Sequence, residues 1–136
     1  MRALAFAVLL MGCATAQSVP PPARVAGCWA DRTQFSSSTM RWRAAADGAL
    51  RGELREAPSN GEPTNRAFVL RAQGEAWEVC DAAPDGACWA VAQEANGSLE
   101  GGRAFIDRYR DRLHFSIVDN AGRNLVRFVG ESAPCS

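Results

Sequence analysis

The chain has 136 residues, with 15 basic and 15 acidic side chains and therefore no formal net charge at pH 7. This length fits one domain, and balanced charge argues against a nucleic-acid-binding protein, which usually carries net positive charge or a basic stripe. A single histidine and the lack of a Cys-x-x-Cys pair argue against a zinc site.

The N-terminal residues 1–16 have the pattern of a signal peptide. Arg2 precedes an apolar run over residues 3–11, which is too short to span a bilayer as a mature helix but suits the core of a leader. Residues 10–13 resemble a bacterial lipobox, which predicts lipidation of Cys13. Residues 14–16 also form an A-x-A cleavage site, which predicts a soluble secreted protein instead. Both alternatives predict export, and we favour a periplasmic protein anchored by lipid to an envelope membrane.

Residues 17–24, QSVPPPAR, are rich in proline and predict an extended tether before a folded domain over residues 25–136. The strongest local pattern follows. Met40 and Trp42 alternate with arginines, Asp47-Gly48 provides a turn, and the alternation then resumes from residue 50 to residue 55. This pattern predicts a β-hairpin with an apolar inner face and charged residues outside.

Similar alternation continues to the C-terminus, interrupted by clusters of glycine, proline, asparagine and aspartate. We count about nine short strands, which favours an all-β fold. The further strands are predicted over residues 25–32, 66–73, 76–80, 87–93, 103–109, 112–118 and 124–130. We predict a small antiparallel up-and-down β-barrel of about eight or nine strands, because sequential hairpins close readily and closure removes exposed edges. A small β-sandwich is the alternative.

Four cysteines remain once Cys13 is assigned to the leader, and an even number in a small exported chain predicts two disulfides. Cys80 and Cys88 flank the turn at residues 82–86, so we pair them across a hairpin. Cys28 and Cys135 then join the two ends of the domain.

Four tryptophans, Trp29, Trp42, Trp77 and Trp89, fall in four different predicted strands. A packed core is the favoured interpretation, because aromatic burial dominates small cores. The alternative is a ligand cavity lined by Trp42, Trp77 and Trp89.

Charged residues in the second half give weaker predictions. Asp107 is in phase with Phe105 and Tyr109. If that face points inward, Asp107 needs a buried partner, which Arg127 would supply, and the pair would line a polar patch of the cavity or form a structural ion pair. The basic run at residues 110–112 is interpreted as a solvated turn.

His114 is opposite in phase to its apolar neighbours and is predicted to face outward, on the same face as Ser116. No nucleophile-elbow motif accompanies them. We therefore predict no catalytic residue, no metal ligand and no cofactor, and expect the protein not to be an enzyme.

Gly27-Cys28-Trp29 opens the first strand and resembles the G-x-W motif of lipocalins and related calycin barrels. The resemblance implies that Trp29 closes the barrel floor and that Arg127, from the last strand, packs over it. The chain is also similar to a family of small bacterial exported lipocalin-like proteins of unknown function. This second likeness covers roughly residues 25–75 and includes Met40-Arg41-Trp42, the hairpin at residues 47–55 and the strand at residues 68–71.

We expect a non-catalytic envelope protein that binds a small apolar or amphipathic ligand. The alternative is a protein-interaction module, such as a periplasmic protease inhibitor that uses residues 17–24 as its arm. Membrane contact is predicted only through the lipid anchor, and no nucleic-acid partner is expected.

Overall fold

The computed structural model describes residues 24–74, 76–92 and 102–135. Within these ranges the chain forms nine β-strands and no α-helix, so the predicted all-β class is confirmed. The strands are β1 Gly27–Arg32, β2 Ser36–Ala44, β3 Leu50–Pro58, β4 Thr64–Gln73, β5 Ala76–Asp81, β6 Cys88–Ala90, β7 Arg103–Tyr109, β8 Arg112–Val118 and β9 Asn124–Ser132. The predicted leader, Cys13 and most of the predicted tether lie outside the described residues. In the described ranges no helix has the length and apolar character needed to span a bilayer.

All nine strands of the described chain belong to one sheet, in the order β6-β5-β4-β3-β2-β1-β9-β8-β7. Hydrogen-bonded neighbours in this order are antiparallel. The two ends of the sheet meet where Val91 and Ala104 form a parallel bridge, and the Ala92 N–H donates to the Ala104 carbonyl at 2.9 Å. A closed ring with an odd number of strands must contain at least one parallel pair, and here it is this bridge. The predicted up-and-down barrel is therefore confirmed.

The β2–β3 hairpin has the predicted inner face, because Met40, Trp42 and Leu54 are buried. Trp42 is in register with Gly52, and a Cβ atom on Gly52 would lie 2.6 Å from the Trp42 ring. Glycine at this position therefore makes room for the indole. Gly48 has φ +82° in the turn, where a residue without a Cβ atom is favoured.

The interior of the barrel is packed with side chains. Phe115 makes edge-to-face contacts with Trp42 at 5.5 Å and with Phe68 at 5.2 Å between ring centroids. Such ring pairs add to the stabilisation that comes from burying the rings. The most deeply buried large side chains of the described residues are Trp29, Trp42, Phe68, Phe115, Met40, Leu113, Ile117 and Val79.

Both predicted disulfide pairs are present. Cys28 pairs with Cys135 across 107 residues of sequence, and Cys80 pairs with Cys88 across eight. The Ala133 N–H also donates to the Cys28 carbonyl at 2.9 Å, so the C-terminal tail lies along β1.

The condition set for Asp107, that its face of β7 points inward, is not met. Ala104 is fully buried and Ile106 packs against the core, so the other face, with Asp107, points outward. Arg127 also points outward, because Val126 and Phe128 hold the inner positions of β9. Asp107 and Arg127 therefore line no interior polar patch.

Candidate functional site

The floor of the barrel is closed by Trp29 and an arginine. The Trp29 indole is buried, and its Nε1 donates to the Val25 carbonyl at 3.1 Å. The guanidinium of Arg108 lies 5.1 Å from the centroid of the Trp29 ring, and its Nη1 donates to the Arg24 carbonyl at 3.1 Å. The cation over Trp29 thus comes from β7, and the prediction that Arg127 fills this place is wrong, because Arg127 lies on the outer face of β9.

A second arginine closes the opposite end. Arg66, near the start of β4, donates from Nη1 to the Leu125 carbonyl of β9 at 3.0 Å. Since β3, β2 and β1 separate β4 from β9 in the sheet, this bond spans the mouth of the barrel. The same guanidinium lies 5.3 Å from the centroid of the buried Phe68 ring. Both ends of the lumen are therefore covered by arginine side chains.

Of the four residues predicted to bind a ligand, the three tryptophans belong to the interior of the barrel and Asp107 does not. Trp42 is only 1 % exposed and belongs to the packed core. Trp77 and Trp89 are half-buried and pack against that core from β5 and β6. Asp107 is on the outside, in register with His114. The indole N–H of Trp42 is buried and has no hydrogen-bond partner among the described residues.

His114 faces outward, as predicted, and its ring lies 5.0 Å from the ring of Phe105. Partial burial lowers the pKa of His114 below its ordinary value of 6.5, because the charged imidazolium loses hydration. The positive charge of Arg127 lowers that pKa further, whereas the carboxylate of Asp107 acts in the opposite direction. The neutral imidazole is therefore the form that this face favours.

The turn between β7 and β8 presents the most exposed aromatic side chain in the described ranges, Tyr109, at 69 %. Arg110 has φ 55°, a conformation uncommon outside glycine, and its guanidinium lies 5.3 Å from the Tyr109 ring centroid. The turn is held in place from two sides. Arg108 Nε donates to the Arg110 carbonyl at 2.9 Å, and the Ser132 N–H donates to the Asp111 carbonyl at 2.7 Å.

An open groove of about 740 Å³ runs between this turn and the end of β9. We call it the turn groove; its lining residues are Tyr109, Arg110, Asp111, Arg112, Glu131 and Ser132. An adjoining groove of about 580 Å³ continues along β1 and shares Arg112, Glu131 and Ser132. Arg112 and Glu131, which line both grooves, form an exposed ion pair at 3.6 Å.

Sequence reasoning missed the turn groove, because it interpreted residues 110–112 as a solvated turn. Tyr109 at the end of a strand, next to an arginine-rich turn, was the one local signal for an exposed aromatic site. The other wall comes from β9, about 20 residues later, and no local pattern predicts that contact.

One group of potential metal ligands occurs among the described residues, namely Glu78, Cys80 and Cys88, whose ligand atoms lie within 4.8 Å of one another. The two cysteines form a disulfide, so their sulfurs are not available as thiolate ligands in this state.

Comparison of the chain with models of known protein families, with curated proteins and with solved structures finds no match. The resemblance to lipocalin-like proteins therefore stays a prediction, and the function is inferred from the chain's own geometry.

Proposed function

We propose that this chain is a non-catalytic, exported, lipocalin-like envelope protein that binds a protein partner through the turn groove. The observation that carries the proposal is the contrast between the lumen and the outer surface. Aromatic rings fill the lumen and Arg66 and Arg108 cover its ends, whereas Tyr109 stands exposed at an open groove. The interaction module, the alternative at the sequence level, is therefore the better-supported function.

The composition of the turn groove supports a protein partner. Tyrosine and arginine are the residue types most enriched at the energetic centres of protein interfaces, together with tryptophan. Tyr109 lines the groove beside Arg110, whose guanidinium lies 5.3 Å from the Tyr109 ring centroid, and Arg112 is on the same wall. Because hydrogen bonds from Arg108 and Ser132 already hold the turn, binding would cost little ordering of its backbone.

The compartment follows from the cysteines and the leader pattern. Two disulfides support an oxidising environment, in which such bonds persist. Lipidation at Cys13 would tether the domain to an envelope membrane. It would also hinder the use of residues 17–24 as a free inhibitory arm.

The predicted binding of a small apolar or amphipathic ligand is the second candidate. Two observations favour it: the unpartnered indole N–H of Trp42 inside the barrel, and the half-buried rings of Trp77 and Trp89. A ligand with a hydrogen-bond acceptor would satisfy that N–H. Such a ligand would have to displace packed side chains, which is why we rank this function second.

Site-specific photo-cross-linking in the producing cells tests the proposal. A benzoylphenylalanine probe replaces Tyr109, and the matched control carries the probe at Phe35, which is 67 % exposed at the opposite end of the barrel. We expect one protein adduct of defined mass from position 109, lost when Arg112→Glu is added, and no such adduct from position 35. Equal adducts from both positions, or none from position 109, would contradict the proposal. Native mass spectrometry of the same preparation discriminates the second candidate, which predicts a small non-covalent adduct instead.

A further inference from the structure

The Cys80–Cys88 disulfide lies on the outer surface of the barrel, between two neighbouring strands. Cys80 on β5 and Cys88 on β6 are directly opposed in register, with their Cα atoms 4.0 Å apart. Val79 and Trp89 hold the adjacent inner positions, so both sulfurs point away from the core. Cys80 is buried and Cys88 is exposed. An incoming reagent therefore meets the sulfur of Cys88 first.

The positively charged side chain of Arg71 lies next to the sulfur of Cys88. Nη2 of Arg71, on β4, lies 3.9 Å from Sγ of Cys88. Nε of the same guanidinium donates to Oε1 of Glu78 at 2.7 Å, and a carboxylate oxygen of Glu78 lies within 4.8 Å of both sulfurs. The disulfide thus has one positive and one negative neighbour, which must act on an approaching anion in opposite directions.

These charges matter because thiol–disulfide exchange proceeds through anions. The attacking species is a thiolate, and the sulfur that leaves also departs as a thiolate. The guanidinium of Arg71 attracts the attacking thiolate towards Cys88 and stabilises any thiolate that forms on Cys88. The carboxylate of Glu78 opposes both effects. The strand ladder and the turn hydrogen bonds, such as Asp81 N–H to the Ala87 carbonyl at 2.9 Å, hold the hairpin without the disulfide. The two cysteines therefore stay close enough to reclose.

We propose that Cys80–Cys88 is a thiol-exchange site that accepts the thiolate of an envelope dithiol protein, with Arg71 as its positioning residue. In the first step the partner thiolate attacks Sγ of Cys88, the Cys80–Cys88 bond breaks, and Cys80 leaves as a thiolate that takes a proton from water. In the second step the other thiol of the partner, as thiolate, attacks its own sulfur in the mixed disulfide. Cys88 then leaves as a thiolate beside Arg71. The partner dithiol is oxidised to a disulfide, and the cysteine pair is reduced by the same two electrons.

Glutathione is a suitable probe for the first step on the full chain. After a timed incubation, acid quenching and alkylation, peptide mass spectrometry locates the mixed disulfide. We expect glutathione on Cys88 and not on Cys80. The Cys28–Cys135 disulfide in the same tube provides an internal reference rate, because it joins β1 to the tail after β9 and not β5 to β6.

The charge variants make the proposal falsifiable. Relative to the Cys28–Cys135 reference, Arg71→Gln should slow exchange at Cys88 about three- to tenfold, and Glu78→Gln should accelerate it by a similar factor. Arg71→Lys keeps the positive charge and should retain most of the rate. Exchange at Cys80, or a shift in the same direction for Arg71→Gln and Glu78→Gln, would overturn the assignment. The thermal unfolding midpoint of each variant reports whether the hairpin is intact.

Discussion

The arginine side chains of this barrel have different structural roles, which the sequence around them does not distinguish. The guanidinium of Arg66 lies over the Phe68 ring and that of Arg108 over the Trp29 ring. Each also donates a hydrogen bond to a backbone carbonyl. A planar guanidinium suits this, since it stacks on a ring and donates several hydrogen bonds at once. Arg127, on the outer face of β9, has neither role. What separates them is the face of the strand from which each projects.

Replacing each arginine by glutamine distinguishes these roles. Arg108→Gln should lower the free energy of unfolding by about 1–2 kcal/mol, because it removes the cation over Trp29 and a bond to the Arg24 carbonyl. Arg127→Gln, at an exposed position, should change it by less than about 0.5 kcal/mol. Urea unfolding followed by tryptophan fluorescence measures both. Equal losses would contradict the assignment of the floor cation to β7.

At the scale of elements, sequence patterns predicted the β2–β3 hairpin and left the orientation of β7 open. In β2 and β3 every inward residue is apolar or glycine in the middle of the hairpin and every outward residue is polar, so alternation determines the register. In β7 the two faces are equally mixed, with Ala104, Ile106 and Arg108 against Phe105, Asp107 and Tyr109. Alternation alone therefore does not decide which face points inward. Tertiary contacts determine which face of β7 points inward. Ala104 forms the bridge to Val91, and the Arg108 guanidinium packs over the Trp29 ring.

The outer face of β7, β8 and β9 predicts a pH dependence through His114. Burial and Arg127 lower its pKa in the folded state, so the unfolded chain binds the proton more readily. The neutral His114 therefore contributes to folding stability at pH values above 6.5, the ordinary pKa of histidine, and this contribution is lost as the pH falls below 6.5. The drop in urea midpoint between about pH 7.5 and about pH 5.5 should therefore shrink in His114→Gln.

Two neighbouring charges provide the controls for that measurement. Arg127→Gln removes one cause of the lowered pKa and should also shrink the drop. Asp107→Asn removes the opposing carboxylate and should enlarge it. A drop that is unchanged in His114→Gln would assign the pH dependence to other groups.

For the whole molecule, the Cys28–Cys135 pair predicted that the first strand and the C-terminal tail meet, but nothing in the sequence predicted the parallel joint. A chain of short, evenly spaced hairpins predicts a barrel, yet the number of strands decides that one joint must be parallel. That joint, between Val91 and Ala104, is a single bridge. The other, between β1 and β9, pairs only Trp29 with Ser132 and Ala30 with Glu131. The turn groove lies beside this second joint, which explains why its two walls come from distant parts of the sequence.

The β1–β9 joint has only two paired residues on each strand, so the disulfide that closes it is important for stability. Cys28–Cys135 closes a loop of 107 residues at that joint, whereas Cys80–Cys88 closes one of eight within a hairpin that strand pairing already holds. In the loop-entropy model, Cys28→Ala with Cys135→Ala should cost about 4–5 kcal/mol of unfolding free energy, and Cys80→Ala with Cys88→Ala about 2–3 kcal/mol. Guanidinium unfolding of both double variants measures the difference. If loss of Cys80–Cys88 lowered the free energy of unfolding as much as loss of Cys28–Cys135, the β1–β9 joint would not be the weak point of the barrel.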